Sequence, residues 1–172
     1  MDRMWSPWRS EYVSDAARRP SPDGASLFTR LASEDNDEEN LILWRGEHVF
    51  VIMNRYPYNN GHLLIVPYHE TADYTALTTE EQEAIGRAID RCIKWIEATL
   101  DPEGVNVGMN LGAAAGAGIP EHLHVHVLPR WDGDTNFMTS TADTRVLPED
   151  LSTTYDRLRA VIEDGASTTD SN

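Results

Sequence analysis

Glu121-His122-Leu123-His124-Val125-His126-Val127-Leu128-Pro129-Arg130 is the stretch from which the rest of the chain is best read. In an extended strand successive side chains point to opposite faces. Leu123, Val125 and Val127 are therefore predicted to enter a core, and His122, His124 and His126 to stand in a row on the other face. Half of the chain's six histidines lie in this row. Imidazole titrates near neutrality and can attack, donate or accept a proton. One ring can attack phosphorus while a neighbour supplies a proton to the leaving oxygen. Three crowded rings also suppress one another's protonation, which keeps an attacking ring neutral. Spacing alone leaves two other readings open. A His-x-His pair can bind zinc if a further ligand such as His62 completes the set, and three rings can form a purely structural stack.

Upstream, residues 41–45, 48–54 and 62–67 read as strands. Val49, Phe50, Val51 and Ile52 favour extended backbone, and Tyr56-Pro57-Tyr58-Asn59-Asn60-Gly61 is a turn cluster, so an antiparallel hairpin or meander is predicted. Thr78 with Glu81 three residues on is a capping-box start for a helix. Ala84, Ile85, Ala88, Ile89, Cys92, Ile93, Ile96 and Leu100 continue at helical spacing until Asp101-Pro102 stops it. That helix should cover one face of the sheet.

Residues 104–111 alternate Val105, Val107 and Met109 with Asn106, Gly108 and Asn110, as a strand does. Gly112-Ala113-Ala114-Ala115-Gly116-Ala117-Gly118 then permits close backbone approach, either as a flexible loop or as a phosphate cradle. A last strong strand is predicted at 122–129. Residues 26–33 read as a short helix, the acidic run at 34–39 as a solvated loop, 148–163 as a terminal helix and 166–172 as a frayed tail. The boundaries expected are an irregular arm at 1–25, a domain at 26–147, and a helix and tail at 148–172.

Composition narrows the function classes. The chain has 172 residues, enough for one domain with modest extensions and a core that needs no disulfide. The single Cys92 excludes an internal disulfide and a multi-cysteine zinc site, and its place on an apolar helix face reads as packing. Apolar runs are short and interrupted, so no membrane span is expected. Residues 1–12 lack the apolar core of a secretory signal, which makes a cytoplasmic protein the expectation. The 29 acidic against 14 basic side chains leave a net charge of −15, which repels nucleic acid and anionic membranes. A phosphate-bearing substrate would then need local backbone N–H groups, imidazolium, or a metal that it brings with it.

Several blocks, in order, resemble the histidine-triad family. Residues 122–128 match its His-φ-His-φ-His-φ-φ signature, with φ apolar, at every position. Phe50-Val51-Ile52-Met53-Asn54-Arg55 followed by Asn60-Gly61-His62-Leu63-Leu64-Ile65-Val66-Pro67 is similar to the family's strand, turn and Gly-His block. Val105-Asn106-Val107-Gly108-Met109-Asn110 with the Gly/Ala loop resembles its nucleotide-contacting strand and loop. The likeness covers about 41–137. It looks strongest to the Fhit-like branch and its bacterial relatives, the diadenosine tetraphosphate phosphorylases and histidine-triad hydrolases. Met4-Trp5-Ser6-Pro7-Trp8-Arg9 and Pro129-Arg130-Trp131 resemble features of that bacterial group.

The resemblance implies an α+β fold: an antiparallel sheet of about five strands, one main helix and a short C-terminal helix. It implies a nucleotide hydrolase or transferase cleaving at the α-phosphate of a dinucleoside polyphosphate or nucleotide conjugate. His124 would be the nucleophile that becomes nucleotidylated. His126 would contact the phosphate or leaving oxygen, and His122 would orient the rings together with His62. Asn54 would bind ribose and Asn110 the phosphate region. The backbone from Gly116 to Gly118 would offer N–H groups to phosphate oxygens, and Trp131 would either stack on a base or support the fold. Arg130 would bring positive charge near the triad. A homodimer built through the main helix and a sheet edge is expected. No tightly bound cofactor is expected, with Mg2+ accompanying the substrate as an option.

His48 and His69 match no block and are expected at the surface. Many members carry an early Cys pair that helps hold a structural zinc. The corresponding stretch here is Ser26-Leu27-Phe28-Thr29, so no such metal is expected. Many also place a hydroxyl or amide side chain just before the triad, where this chain has Gly118, Ile119 and Pro120. That leaves hydrolysis and phosphorolysis both open. Two competing functions follow from the same residues: a nucleotide-binding signalling module with slow turnover, and a metal-dependent hydrolase with His122, His124 and His62 as ligands.

Overall fold

Five strands, all antiparallel to their neighbours, build one sheet in the order β1-β2-β3-β5-β4: β1 is Ile42–Arg45, β2 Val49–Met53, β3 Leu63–Pro67, β4 Gly104–Met109 and β5 Val125–Arg130. The computed structural model describes residues 24–134 and 149–169, with side chains to residue 165. The expected arm at 1–25 therefore lies almost wholly outside the described residues, as does the boundary at 147. The α+β class and the five strands agree with the expectation.

Alternation divides β2 between two cores. Val49, Val51 and Met53 point to one face of the sheet, where Ala84, Ile85, Ala88, Cys92 and Ile96 of the long helix α3 (Thr79–Leu100) meet them. Phe50 and Ile52 point to the other face and pack with Phe28, Leu64, Val66 and Ile119. Central strands buried on both sides read as continuous apolar runs, as β2 and β3 do. The capping box forms as predicted, with the Thr78 side chain accepting from Glu81 N–H and the Glu81 carboxylate accepting from Thr78 N–H. Asp101 ends α3 in the left-handed region at φ 47°.

Three expectations are corrected. The acidic run is not wholly a loop, because Asp37–Asn40 forms one helical turn, α2. Arg45 draws it in by donating to both Asp37 oxygens and to the carbonyls of Ala32 and Glu34. The terminal helix α4 spans Leu151–Thr169, so residues 166–169 are helical rather than frayed, and the helix is longer than predicted. It is anchored where Tyr155 Oη–H donates to Ile42 O at 3.0 Å and Arg159 donates to Leu43 O at 2.9 Å.

The third correction concerns the decisive stretch. Pairing starts at Val125, so His122, Leu123 and His124 precede the strand. Pro67, opposite, has no N–H to give. Its carbonyl is taken by the His122 ring, and Leu123 N–H goes instead to Thr71 O at 2.7 Å. The alternation survives the loss of pairing: Leu123, Val125 and Val127 are in the core beneath α3, and the histidines lie on the opposite side. That side is roofed by the short helix α1 (Leu27–Ser33), whose N-cap is Ser26.

Candidate active site

Four imidazoles gather on the α1 side of β3 and β5. His62 precedes β3, and His126 sits on β5 opposite Leu64. The His62 and His126 ring centroids are 5.1 Å apart, and those of His124 and His126 5.0 Å. His62 and His122 are wholly buried and His124 is 7% exposed.

Fixed neighbours decide where each ring proton sits. A backbone N–H can only donate, and Tyr58 N–H donates to His62 Nδ1 at 3.1 Å, with Asn54 Nδ2–H at 3.2 Å from the same nitrogen. The His62 proton is then on Nε2, which donates to His126 Nδ1 at 2.9 Å. His126 in turn carries its proton on Nε2. A carbonyl can only accept, so His124 Nδ1–H donates to His122 O at 2.9 Å, leaving a lone pair on His124 Nε2. His122 Nε2–H donates to Pro67 O at 2.8 Å. The outcome is one ring with a free nucleophilic nitrogen beside another with an N–H donor.

Burial pushes the His124 pKa below the ordinary histidine value, against smaller upward pulls from the His122 carbonyl and Glu121. His122 is lowered too, first by burial, with the charge of His124 a lesser contribution. Burial therefore dominates over crowding of the rings. Because the shift is downward, the His124 ring keeps its Nε2 lone pair on the acid side of the ordinary histidine range. The pH profile of kcat/KM is expected to stay flat down to about pH 6.5 and to fall only below it. Both rings bind protons more weakly folded than unfolded, so their contribution to stability is also lost as pH falls below that value. A kcat/KM profile with its acid limb above about pH 7 would contradict this assignment.

Beside the rings is a small pocket that collects His124, His126, Asn54, Asn110, Gly116 and Gly118. Six of the residues singled out from sequence therefore meet. Asn54 is already engaged, its Oδ1 accepting from Tyr56 N–H at 3.0 Å while its Nδ2 holds His62. It is thus a turn residue and a ring-positioning residue as well as a wall. The Gly/Ala loop makes a tight turn, with Gly112 and Gly116 at φ 82° and 88°. Gly116 N–H and Ala117 N–H donate to the loop's own Ala113 and Gly112 carbonyls. Gly118 is the member of this trio whose N–H no hydrogen bond uses among the described residues.

Trp131 is not brought to the rings. It lies in a separate hollow with Asn59, Asn60, Leu100 and Arg157. Arg130 is held away as well, clamped by the Asp134 carboxylate at 2.5 and 2.7 Å and donating to Asn106. His69 pairs with Glu81 at the surface, as expected.

A larger cleft of about 510 Å³ adjoins the pocket and shares Phe28, Asn54 and Leu64 with it. Leu27, Leu31 and Ile52 give it an apolar wall, and Arg30, Arg55, Glu34 and Glu39 also line it. Sequence reasoning missed several residues that shape the site. The Phe28 ring lies 5.2 Å from His124 and 5.6 Å, edge to face, from His122. Tyr58 packs 4.8 Å from His62. Only the turn composition around Tyr58 carried any signal for these.

For a metal the donor set is poor. Among the described residues no group of three or more His, Cys, Asp or Glu side chains is placed to hold an ion. Both ring nitrogens of His122 and of His62 are already hydrogen-bonded. Ser26 and Thr29 offer hydroxyls, which are weak zinc ligands beside thiolates.

Comparison with known proteins agrees with this geometry. The family model of the HIT domain matches residues 36–133. The AP-4-A phosphorylase of Mycobacterium tuberculosis is 39% identical over 153 residues, covering 87% of this chain and 78% of that protein. A Saccharomyces cerevisiae bis(5'-adenosyl)-triphosphatase is 30% identical over 94 residues, covering 52% of this chain and 44% of its own. Among solved structures, a zinc-bound histidine triad family protein from Mycobacterium smegmatis superposes with a TM-score of 0.67 at 26% identity, over 83% of this chain and 96% of that one. A row of histidines on one side of the sheet, its ring partners and a matching domain over more than half the length lead to one assignment: the chain belongs to the histidine-triad (HIT) family.

Proposed function

We propose that the protein is an enzyme that cleaves dinucleoside polyphosphates at an α-phosphate through a nucleotidyl-histidine intermediate. The observation that carries this is the proton arrangement of the rings, with the lone pair on His124 Nε2 and an N–H on His126 Nε2. His124 Nε2 attacks the α-phosphorus, forming an N–P bond as the bond from phosphorus to the bridging oxygen breaks. The remaining polyphosphate departs on that oxygen, stabilised by the His126 N–H. Water or inorganic phosphate then attacks the same phosphorus, the N–P bond breaks, and the ring is restored. Two such displacements give ping-pong kinetics.

The adjoining cleft has the size and apolar wall suited to a nucleoside. Gly118 N–H and Asn110 are available to phosphate oxygens, in the roles proposed for them from sequence. The names of the relatives support a diadenosine polyphosphate as substrate. Incubation with diadenosine tetraphosphate, with and without inorganic phosphate, tests both bond and acceptor. Phosphorolysis yields ADP and ATP, hydrolysis AMP and ATP. Two ADP as the sole products without phosphate would place the cut at the centre of the chain and refute α-attack.

A homodimer through α3 and a sheet edge is part of the reading, with β4 as that edge. This strand is an edge of the sheet, and Val107 on it and Leu111 just after it are exposed at 43% and 48%. Among the described residues no helix is long and apolar enough to cross a membrane. A cytoplasmic site of action fits a nucleotide substrate and a lone buried thiol, Cys92.

A further inference from the structure

His122 is wholly buried and does not line the pocket that His124 and His126 share. Its ring is held at both ends. On one side Nε2–H donates to the Pro67 carbonyl at 2.8 Å. That proton leaves Nδ1 of the neutral ring as an acceptor, so the Ser26 hydroxyl, 2.5 Å away and 96 residues distant in sequence, must donate to it. The Ser26 oxygen accepts from Thr29 N–H at 3.1 Å, and the Thr29 hydroxyl donates to Glu70 at 2.5 Å. Glu70 also accepts from Ser26 N–H at 3.0 Å. These bonds hold the Glu70 carboxyl below its ordinary pKa, with the Thr29 hydroxyl the largest cause, and so keep it a full acceptor.

Every hydrogen in this chain of contacts has one direction. The chain ends at the nucleophile, because the residue whose ring Ser26 holds also supplies the carbonyl that orients His124 Nδ1–H. Helix capping explains the Ser26 contact with Thr29 N–H, but not its bond to a buried ring on another part of the chain.

We infer that Ser26, backed by Thr29 and Glu70, is a positioning residue for the reaction: it locks the His122 ring and, through the His122 carbonyl, aims His124 at phosphorus. The inference rests on the cleavage reading above for its kinetic consequence, though not for its geometry. A small tilt of the His124 ring misaligns attack while leaving the nucleoside cleft unchanged, so the loss should fall on kcat and not on KM.

Glycine serves almost as well as serine at a helix N-cap, which lets the hydroxyl be removed without undoing α1. Ser26→Gly is expected to lower kcat about tenfold with KM changed less than about twofold. Ser26→Thr, which restores a hydroxyl, should recover kcat to within about threefold of wild type, and Thr29→Val, which leaves the cap intact, should fall between. An unchanged kcat in Ser26→Gly, or a loss that Ser26→Thr does not repair, would overturn the inference. Imidazole 15N NMR of the whole protein gives a readout that needs no turnover. The His122 Nδ1 resonance should move downfield in Ser26→Gly as its donor is lost, and an unmoved resonance overturns the relay. Absence of wild-type turnover on dinucleoside polyphosphates would instead refute the functional reading and leave the NMR result to decide the relay.

Discussion

His124→Ala is expected to lower turnover of a dinucleoside polyphosphate by about four orders of magnitude or more. The size follows from what is removed. Nucleophilic catalysis divides one displacement into two, and no other ring offers an equivalent atom. His62 and His126 are joined to each other with their protons assigned, and both nitrogens of His122 are hydrogen-bonded. Only His124 combines a lone pair on Nε2 with a place on the pocket wall. The substitution leaves the strand pairing of β5 untouched, since pairing begins one residue later. Steady-state rates should therefore collapse while the thermal midpoint changes little. Acid quenching after mixing with α-labelled substrate should trap label on wild-type protein and none on the variant. A variant that keeps a tenth of the wild-type rate would remove His124 from the mechanism.

Phe50→Ala should have the largest effect on stability, about 3–5 kcal/mol. Phe50 is completely buried, and its ring lies 5.4 Å from Tyr68. It fills the smaller core, where Phe28, Ile52, Leu64, Val66 and Ile119 meet under α1. Apart from Tyr68, the described neighbours in that cluster are apolar, so the loss includes a cavity as well as transfer of the ring. For a chain of this size each kcal/mol lowers Tm by roughly 2–4 °C, and a fall of about 10 °C is expected. The same change should reduce activity even below the transition, because Phe28 and Ile119 are also walls of the pocket. Calorimetry or a denaturant titration checks the first effect. A loss under about 1 kcal/mol would show that the small core collapses around the gap.

Much of this protein was legible in its residues because the relevant physics is local. Alternation of His122, His124 and His126 with Leu123, Val125 and Val127 determined which face the imidazoles occupy, and it held even where His122–His124 leave the strand. The 3.6-residue spacing from Ala84 to Leu100, with Thr78 and Glu81 at its start, determined the long helix for the same reason: caps and periodicity act within one turn. Four ordered motif blocks determined the family and, with it, Asn54, His62, Asn110 and Gly118 as neighbours. What stayed hidden involves contacts between distant segments. The 2.5 Å bond from Ser26 to His122 spans 96 residues, and no pattern near either residue announces it. Phe28 and Tyr58 reached the rings only because α1 and the turn before β3 fold over the same sheet face. Arg130 and Trp131 moved the other way: adjacent to the motif in sequence, they were carried off it as β5 ran on toward Asp134 and the hollow beside Leu100. Which proton each imidazole holds was likewise decided by tertiary contacts, since a ring's tautomer depends on whether a carbonyl or an N–H faces it, and only the folded chain puts Pro67, Tyr58 and the His122 backbone in those places.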